Sequence, residues 1–281
     1  MHTKISLISV TYNSENIIAE FLSQKEIKFF DQVIIVDNNS TDETIGVINK
    51  KFPNVKLIKN KNNFGYGTAL NIGCNYSKNK NVILINPDTT FTKDFYIKLS
   101  NAINANRNYS VLVPNLVEFG DLIPKIKKNN SQLSKAKFFG SCFFVNLDAF
   151  CDNKIFDERI FLFFEDYDLI KRLENINEKK IMINDCFLFF KRGESSRKEN
   201  INKIKDWHFG WSYCYVSKKY NSYLSYKLKV SKYFIKCIKR FLIYLILNNK
   251  VRLNRSYYQL KGAIAFVRGV EAKKINDQGP F

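Results

Sequence analysis

The sequence has 281 residues, of which 45% are hydrophobic and 25% are charged, and its formal net charge is +19. This length and hydrophobic fraction fit one large α/β domain, or one domain and an appendage, and exclude a wholly disordered chain. The six cysteines are scattered, with no CxxC pair and no nearby His, which predicts reduced thiols rather than a zinc site.

The N-terminal part of the chain alternates strand-like and helix-like segments. Short apolar runs predict four strands, with the sequences KISLISVTYN, DQVIIVDNNS, NVKLIKN and NVILINPDT. Helix-sized segments separate them at 14–25, after a capping sequence at 40–43, and at 63–76. Strands connected in this way form βαβ units. We therefore predict an α/β, Rossmann-like fold with a mostly parallel sheet flanked by helices.

Polar clusters follow three of these strands, at residues 11–13, 37–39 and 86–88. In open parallel sheets, ligands bind outside the carboxyl ends of the strands. One such cluster would be an ordinary loop. Three at the same edge predict a ligand site.

The next part of the chain carries three acids directly after an apolar run. A polar, basic loop at 124–137 has a length typical of lids or acceptor-binding segments, and a strand-like FFGSCFFVN follows it. In FLFFEDYDLIKR (161–172), Glu165, Asp166 and Asp168 come after four apolar residues. Because burying a carboxylate is costly unless it is paired, protonated or bound to a cation, the acids form either the rim of an apolar wall or the exposed first turn of a helix.

The region 217–281 has a different charge balance from the rest. It holds fifteen Lys and Arg against Glu271 and Asp277, and no acid occurs from 207 to 270. A predicted helix at 229–247 carries basic residues on one face and apolar residues on the other, namely Lys229, Lys232, Lys236, Lys239 and Arg240 opposite Phe234, Ile235, Ile238, Phe241, Leu242 and Leu245. This pattern predicts a basic amphipathic helix on an anionic membrane surface, or else a helix packed on the main domain with its lysines in water.

Two further observations bear on location and organisation. The N-terminal MHTKISLISVTYN lacks a long apolar core followed by a cleavage site, so we expect no secretory signal. The apolar run FLIYLIL at 241–247 is far shorter than the ~20 residues of a spanning helix. We expect a cytoplasmic protein with one domain at 1–216 and a basic helical region at 217–281.

Five motifs occur in order along the chain: VTYN (10–13), VDNNSTDET (36–44), NFGYGTALNIG (63–73), INPDTTF (85–91) and FFEDYDLIKR (163–172). Together they resemble the inverting family 2 glycosyltransferases of the GT-A fold, over roughly residues 4–220. The most similar branch comprises the rhamnosyltransferases and galactofuranosyltransferases that build bacterial surface polysaccharides. The resemblance implies transfer of a sugar from a UDP- or dTDP-sugar to a lipid-linked or surface-polysaccharide acceptor, by a peripheral protein on the inner face of the cytoplasmic membrane.

The resemblance also implies roles for individual residues. Asp166 is the general base that takes the acceptor proton, and Glu165 orients Asp166 or the acceptor. Asp168 is assigned instead to capping the helix or pairing with Arg172. Asp88 is the ligand of a Mg²⁺ or Mn²⁺ ion that bridges the diphosphate. The structural alternative for Asp37 is a role as the cap of the following helix. The donor-binding residues of these motifs are Thr11, Asn13, Asp37, Asn39, Asn63, Gly65, Asn71 and Asn86.

One position departs from the family pattern. Phe190 stands where related enzymes usually carry a His that ligates the metal or touches the diphosphate, and this puts the metal dependence in question. Lys191 or Arg192 would supply positive charge to the diphosphate instead. His208 is another candidate, although a lone His beside two Trp residues more often has a structural role.

Two other functions compete with glycosyl transfer. A sugar-phosphate nucleotidyltransferase shares a similar core, but it would need a Gly-rich, Arg- or Lys-bearing loop after the first strand, which VTYNSENI lacks. An RNA-binding protein would use the basic tail and stack bases on its tyrosines, namely Tyr213, Tyr215, Tyr220 and Tyr223. That alternative leaves the five motifs unexplained, and we expect no nucleic-acid partner.

Overall fold

The computed structural model describes residues 3–106, 108–121, 140–176, 180–190 and 199–272. The strands in these ranges are β1 (Ile5–Thr11), β2 (Gln32–Asp37), β3 (Lys56–Lys59), β4 (Asn81–Ile85), β5 (Thr89–Phe91), β6 (Val111–Glu118), β7 (Cys142–Asn146) and β8 (Lys180–Phe190). The helices are α1 (Glu15–Leu22), α2 (Thr44–Lys51), α3 (Tyr66–Cys74), α4 (Phe95–Ala105), α5 (Glu165–Asn175), α6 (Glu199–Lys219), α7 (Tyr223–Ile246) and α8 (Lys250–Val267). The predicted loop at 124–137 and the predicted donor residues Lys191 and Arg192 lie outside the described residues.

The strands form one mixed sheet in the order β3-β2-β1-β4-β7-β6-β8-β5. β1 pairs in parallel with β2 and β4, and β2 pairs in parallel with β3. β7 runs antiparallel to both β4 and β6, whereas β6 and β8 are parallel. All seven residues of β1 are buried, as expected of a strand covered on both faces. The predicted α/β fold with helices around a central sheet is confirmed.

The chain divides into two compact units. The first, here the sheet unit, comprises the described parts of 1–63, 68–156 and 172–196. The second, here the helical unit, comprises the described parts of 64–67, 157–171 and 197–281 and therefore contains α6, α7 and α8. The predicted boundary between 216 and 217 falls inside α6, and the functional division at that point stays a prediction.

The core of the sheet unit forms where apolar side chains of the strands meet those of the flanking helices. Leu7, Ile35 and Ile83 from three adjacent strands are completely buried, and Phe95 and Leu99 of α4 belong to the same cluster. The strand residues come from continuous apolar runs, which is the sequence pattern of parallel strands. This core fixes the ends of β1, β2 and β4 at one edge.

Glycines allow α6 and α8 to approach closely within the helical unit. A Cβ atom at Gly210 would lie 2.0 Å from the carbonyl oxygen of Gln259, and one at Gly262 would lie 1.9 Å from that of Trp207. Trp207 and Trp211 are buried beside this crossing, and the Trp211 Nε1–H donates to the Val270 carbonyl at 2.7 Å. No helix among the described residues is both long and apolar enough to cross a bilayer.

We expect Gly262→Ala to destabilise the protein, although replacing Gly by Ala inside a helix ordinarily stabilises that helix. The added methyl group would clash with backbone, and overpacking of this kind costs about 2 kcal/mol. Gly46→Ala in α2 is the control, because its Cβ would meet only the flexible Glu43 side chain, and helix propensity then gains up to about 1 kcal/mol. Urea denaturation measures both, and equal stabilisation by the two substitutions would contradict the close crossing.

Candidate active site

The carboxyl edge of the sheet unit, defined by the ends of β1, β2 and β4, holds Thr11 and Asp37 side by side. The two residues pair in register, and the Thr11 hydroxyl donates to Asp37 Oδ1 at 3.2 Å. The Ser40 hydroxyl also donates to Oδ1, at 2.5 Å, and the Ser40 N–H donates to Oδ2 at 2.9 Å. The Asp37 carboxylate is therefore buried but well satisfied, and its orientation is fixed by its neighbours.

Asn13 and Asn39 occupy the loops that follow β1 and β2. Both adopt left-handed backbone conformations, with φ of 51° and 71°, which Asn tolerates better than most residues. Asn13 Oδ1 accepts from the Thr41 N–H at 2.8 Å, and the Asn13 N–H donates to the Ser40 hydroxyl at 2.9 Å. Asn13 thus ties the two loops together, whereas Asn39 is exposed at the same edge.

Asn63 joins this network through a residue that the sequence reasoning missed. Asn38 Nδ2 donates to Asn63 Oδ1 at 2.8 Å, and Asn60 Nδ2 donates to Asn38 Oδ1 at 3.1 Å. Asn38 is buried, and its backbone N–H donates to the Thr11 carbonyl at 2.8 Å. Its position within VDNNSTDET, next to Asp37, was the available signal.

Asn71 and Gly65 contact the protein's own backbone. Asn71 Oδ1 accepts from the N–H groups of Ile155 and Phe156 at 3.1 and 3.0 Å, and its Nδ2 donates to the Phe156 carbonyl. Gly65 has φ of +84°, and a Cβ atom there would lie 2.2 Å from the carbonyl oxygen of Phe161. The close approach that requires this glycine is therefore to the chain near 161. Donor binding by these two residues stays a prediction.

Asn86 and Asp88 follow β4 and offer oxygen ligands of the kind that hard cations prefer. Asn86 Oδ1 is buried and has no hydrogen-bond partner among the described residues, which is costly unless a ligand satisfies it. Asp88 is half-buried beside it in sequence. Mg²⁺ is typically held by one or two such groups together with substrate phosphates and water. The two residues therefore fit a divalent cation, which when bound would neutralise charge on a diphosphate.

His208, the described candidate for the missing histidine ligand, gains no support from its surroundings. Phe190 is paired with Thr89 at the end of β8. His208 is completely buried, stacked on Phe161 with ring centroids 4.2 Å apart, and burial lowers its pKa to about 3. Among the described residues, no cluster of three or more His, Cys, Asp or Glu side chains forms a metal site. The neutral His208 imidazole belongs to the packing of the helical unit.

The acidic segment, residues 157–168 of the helical unit, carries Glu165 and Asp166 at the start of α5. Phe163 and Phe164, which precede them, both have φ of 66°, a conformation that costs about 1–3 kcal/mol per residue. Their rings pack on Phe209, at centroid distances of 5.6 and 5.2 Å. The strained turn ends where the Asp168 N–H donates to the Phe164 carbonyl and α5 begins. Strain of this kind persists only where surrounding contacts enforce it.

Glu165 and Asp166 have different environments. Glu165 is 7% exposed, its Oε2 has no hydrogen-bond partner among the described residues, and burial together with the Asp166 charge raises its pKa to about 8. Asp166 is half-buried, accepts from the Tyr167 N–H at 2.7 Å, and has its pKa raised by burial. The more deeply buried Glu165 therefore holds its proton more strongly than Asp166 does.

Lys219, near the end of α6, binds both ends of the acidic segment. Its Nζ donates to Asp157 Oδ2 at 2.8 Å and also to Asp168 Oδ1. Tyr215 and Tyr220 donate their hydroxyl protons to Asp157 and Asp168 at 2.7 and 2.8 Å. Asp168 is thus a buried anchor whose described partners include Lys219, and its predicted pairing with Arg172 stays a prediction.

Other residues on the same face of α6 hold the middle of the acidic segment. The Ser212 hydroxyl donates to the Leu162 carbonyl at 2.9 Å, and His208 stacks on Phe161. His208, Ser212 and Lys219 are spaced by four and seven residues, which places them on one face of a helix. This face of α6 therefore supports the segment that presents Glu165 and Asp166.

Several solved structures share this fold. TarS 1–349 from S. aureus in complex with UDP-GlcNAc has a TM-score of 0.58 and 16% identity, over 95% of this chain and 93% of that chain. The mannosyltransferase PcManGT from Pyrobaculum calidifontis in complex with GDP-Man and Mn²⁺ has a TM-score of 0.57 and 14% identity, over 96% and 89%. GalNAc-T7 with UDP, GalNAc and Mn²⁺ has a TM-score of 0.54 and 14% identity, over 70% and 44%.

These likenesses, at 14–16% identity, show the fold, which is of the GT-A type. The model of the family "Glycosyl transferase family 2" matches residues 6–163, more than half of the chain, and the chain belongs to that family. The expected family is thereby confirmed. Comparison with curated protein sequences finds no match.

We expect Lys219→Met to lower the free energy of unfolding by about 3 kcal/mol at pH 7, because it removes the cation that two buried carboxylates share. The exposed neighbour Lys218→Met is the control and should leave stability within about 0.5 kcal/mol. Urea denaturation of both variants at several pH values measures the effect.

The pH dependence of this loss has a definite sign. Burial opposes ionisation of Asp157, yet hydrogen bonds from Arg159, Lys219 and Tyr215 outweigh burial and hold its pKa well below the usual range. A depressed pKa contributes stability above the unfolded-state value of about 4, and that contribution is lost as the pH falls. The difference in the free energy of unfolding between wild type and Lys219→Met should therefore decrease from pH 7 to pH 3. A difference that does not change with pH would argue against the ionic interaction.

Proposed function

We propose that the protein is an inverting glycosyltransferase in which Asp166 is the general base. The acceptor hydroxyl gives its proton to the Asp166 carboxylate while its oxygen forms a bond to the anomeric carbon. The bond from that carbon to the diphosphate breaks on the opposite side, and the nucleoside diphosphate leaves. A single displacement of this kind inverts the configuration and needs no enzyme nucleophile. The membership of family 2 and the half-buried position of Asp166 at the start of α5 support this assignment.

The observation that carries the proposal is the unequal environment of the two adjacent acids. A general base needs an accessible carboxylate that no cation holds. No Lys or Arg of the described chain lies within ion-pair distance of Asp166, whereas Asp157 and Asp168 are both held by Lys219. Burial keeps Glu165 protonated, so its carboxyl group adds no second negative charge and can donate a hydrogen bond to orient the acceptor or Asp166.

The carboxyl edge is the proposed donor site, with Thr11, Asn13, Asp37, Asn39 and Asn63 around the nucleotide. Asp37, whose carboxylate is held in place by Thr11 and Ser40, would accept the N3–H of uracil or thymine. The TarS and PcManGT structures were determined with UDP-GlcNAc and GDP-Man, which supports a nucleotide-sugar donor here. We favour a UDP- or dTDP-sugar carrying rhamnose or galactofuranose.

Asn86 and Asp88 would hold a Mg²⁺ or Mn²⁺ ion at the diphosphate. The orphaned Asn86 Oδ1 supports this assignment, as do the Mn²⁺ ions named with PcManGT and GalNAc-T7. We also propose that Lys191 or Arg192 adds positive charge to the leaving group. The position of these two basic residues in the sequence, directly after Phe190, supports that role.

The proposed acceptor is a lipid-linked or surface polysaccharide, met at the inner face of the cytoplasmic membrane. The basic tail, in which no acid occurs before Glu271, supports an anionic surface as partner. The competing use of the tail in RNA binding loses three of its four predicted stacking platforms and keeps Tyr223, which is 70% exposed. Tyr213 is stacked on Tyr233 at 4.3 Å, Tyr215 on Trp211 at 5.2 Å, and Tyr220 donates to Asp168. These rings are already engaged within the fold.

We expect Asp166→Asn to lower the transfer rate by about 10³-fold while donor binding survives, because only the proton acceptor is lost. Glu165→Gln should keep the rate within a few-fold at pH 7, since the amide replaces a carboxyl that is already neutral. Release of nucleoside diphosphate measures the rates, and the exposed Glu174→Gln in the same helix is the control. Full activity of Asp166→Asn would refute the assignment of the base.

The pH profile distinguishes the two acids. The rate should rise with pH as Asp166 ionises, at a pH above the usual aspartate range, and fall again near pH 8 as Glu165 loses its proton. In Glu165→Gln the fall near pH 8 should disappear. Persistence of that fall would show that Glu165 does not cause it.

A thermal-shift panel tests the donor and the metal together. UDP-GlcNAc, dTDP-rhamnose and GDP-Man are compared with and without Mn²⁺. A donor at about 100 times its Kd adds about 2.7 kcal/mol to the free energy of unfolding. We expect a UDP- or dTDP-sugar to give the largest shift and Mn²⁺ to enlarge it. Asp88→Asn should lose only the Mn²⁺-dependent part of the thermal shift. Asp152→Asn, at an exposed position, is the control and should keep the whole shift. A shift that Mn²⁺ leaves unchanged in the wild type would contradict the metal site.

A further inference from the structure

Helix α7 has two apolar faces rather than the single one that its sequence predicts. Val230, Tyr233 and Cys237 are buried in a cluster with residues of α6 and α8. A second set of apolar side chains is 46–78% exposed and is here termed the apolar stripe: Leu224, Leu228, Ile235, Ile238, Leu242 and Leu245. Of the predicted apolar face, Phe234 and Phe241 are only half-buried and lie between the two sets.

The apolar stripe runs along most of the helix, with Ser231 as its one polar interruption. Its members, with Ser231 between Leu228 and Ile235, alternate in steps of four and three residues, which keeps them on one side of an α-helix. At 1.5 Å per residue the stripe is about 32 Å long. Single exposed apolar residues need no explanation, but a contiguous row of this length marks an interaction surface. The helix is already packed through its other apolar face, so the apolar stripe is not needed for folding.

The charges beside the apolar stripe identify its partner. Lys232 and Lys239 flank it on one side and Lys227 on the other, and all three are exposed. No acid occurs from 207 to 270, so a second copy of α7 would place lysines next to lysines with nothing on either helix to neutralise them. An anionic bilayer offers both an apolar layer and negative headgroups.

We infer that α7 lies in the plane of an anionic bilayer, with the apolar stripe among the acyl chains and the lysines at the headgroups. This inference deepens the proposed function, on which its role in acceptor encounter rests. The binding itself requires no catalysis. Because α7 and α8 pack on α6, removal of the tail would disturb the whole helical unit, and point variants of the full chain are the appropriate test.

Sedimentation with phosphatidylcholine vesicles, with and without phosphatidylglycerol, tests the inference. The wild type should bind the anionic vesicles preferentially. The double variant Ile235→Ser/Leu242→Ser should bind at least tenfold more weakly. Lys232→Gln/Lys239→Gln should lose about fivefold per lysine and much of the salt dependence. Ile97→Ser, at a residue 63% exposed on α4, and the exposed Lys51→Gln are the matched controls and should bind like the wild type.

Two results would overturn the inference. One is undiminished vesicle binding by the stripe variant. The other is a wild-type dimer that the stripe variant converts to a monomer, seen by light scattering, which would assign the apolar stripe to self-association. Donor-induced thermal shift and nucleotide release in the absence of vesicles should stay unchanged in every variant. If the wild type showed neither the donor-induced thermal shift nor nucleotide release, the proposed function would be refuted while the vesicle result would still stand. A failure of the proposed function can therefore be told apart from a failure of the membrane inference.

Discussion

The position of the acidic segment depends on one ammonium group shared by two carboxylates. Asp157 and Asp168 are both almost wholly buried as side chains and both are ion-paired with Lys219, while Asp157 is also paired with Arg159. The two acids lie at the two ends of the acidic segment, so a single lysine closes it into a loop. The strained backbone at Phe163 and Phe164 is held inside that loop. Helix α6 thereby fixes the position of Asp166 within the helical unit.

A different principle organises the carboxyl edge, where neutral and charged polar groups satisfy one another. Asp37 accepts three hydrogen bonds from Thr11 and Ser40, and Asn38 connects the ends of two strands to Asn63. Because these partners come from separate loops, each loop is held in a defined conformation before any ligand arrives. Pre-organised polar sites lose little conformational entropy on binding. Among the described residues of this edge, Asn86 Oδ1 is the exception, because it is buried without a hydrogen-bond partner. An unsatisfied buried oxygen of this kind is a position at which a ligand would be stabilised.

Much of the architecture follows from the sequence because it is encoded locally. Continuous apolar runs located the strands, and polar residues at their ends located the carboxyl edge. The contacts that hold the acidic segment are not local: Lys219 and Asp157 are 62 residues apart, and no pattern links them. Periodicity also described α7 correctly as a helix with apolar and basic sides. It gave no means of separating the buried apolar residues from the exposed ones, because both sets are apolar and recur at helical spacing.

The contact between Gly65 and Phe161 has a consequence for how this chain tolerates change in length. The Tyr66 N–H donates to the Phe161 carbonyl at 2.9 Å. The same carbonyl lies so close to Gly65 that no side chain would fit at that position. Two points far apart in the sequence are thus joined backbone to backbone within one compact unit. Insertions or deletions in the surface loops between 67 and 160 can therefore accumulate without altering the spacing at this joint. Relatives that differ in the length of those loops would therefore keep the same acidic segment.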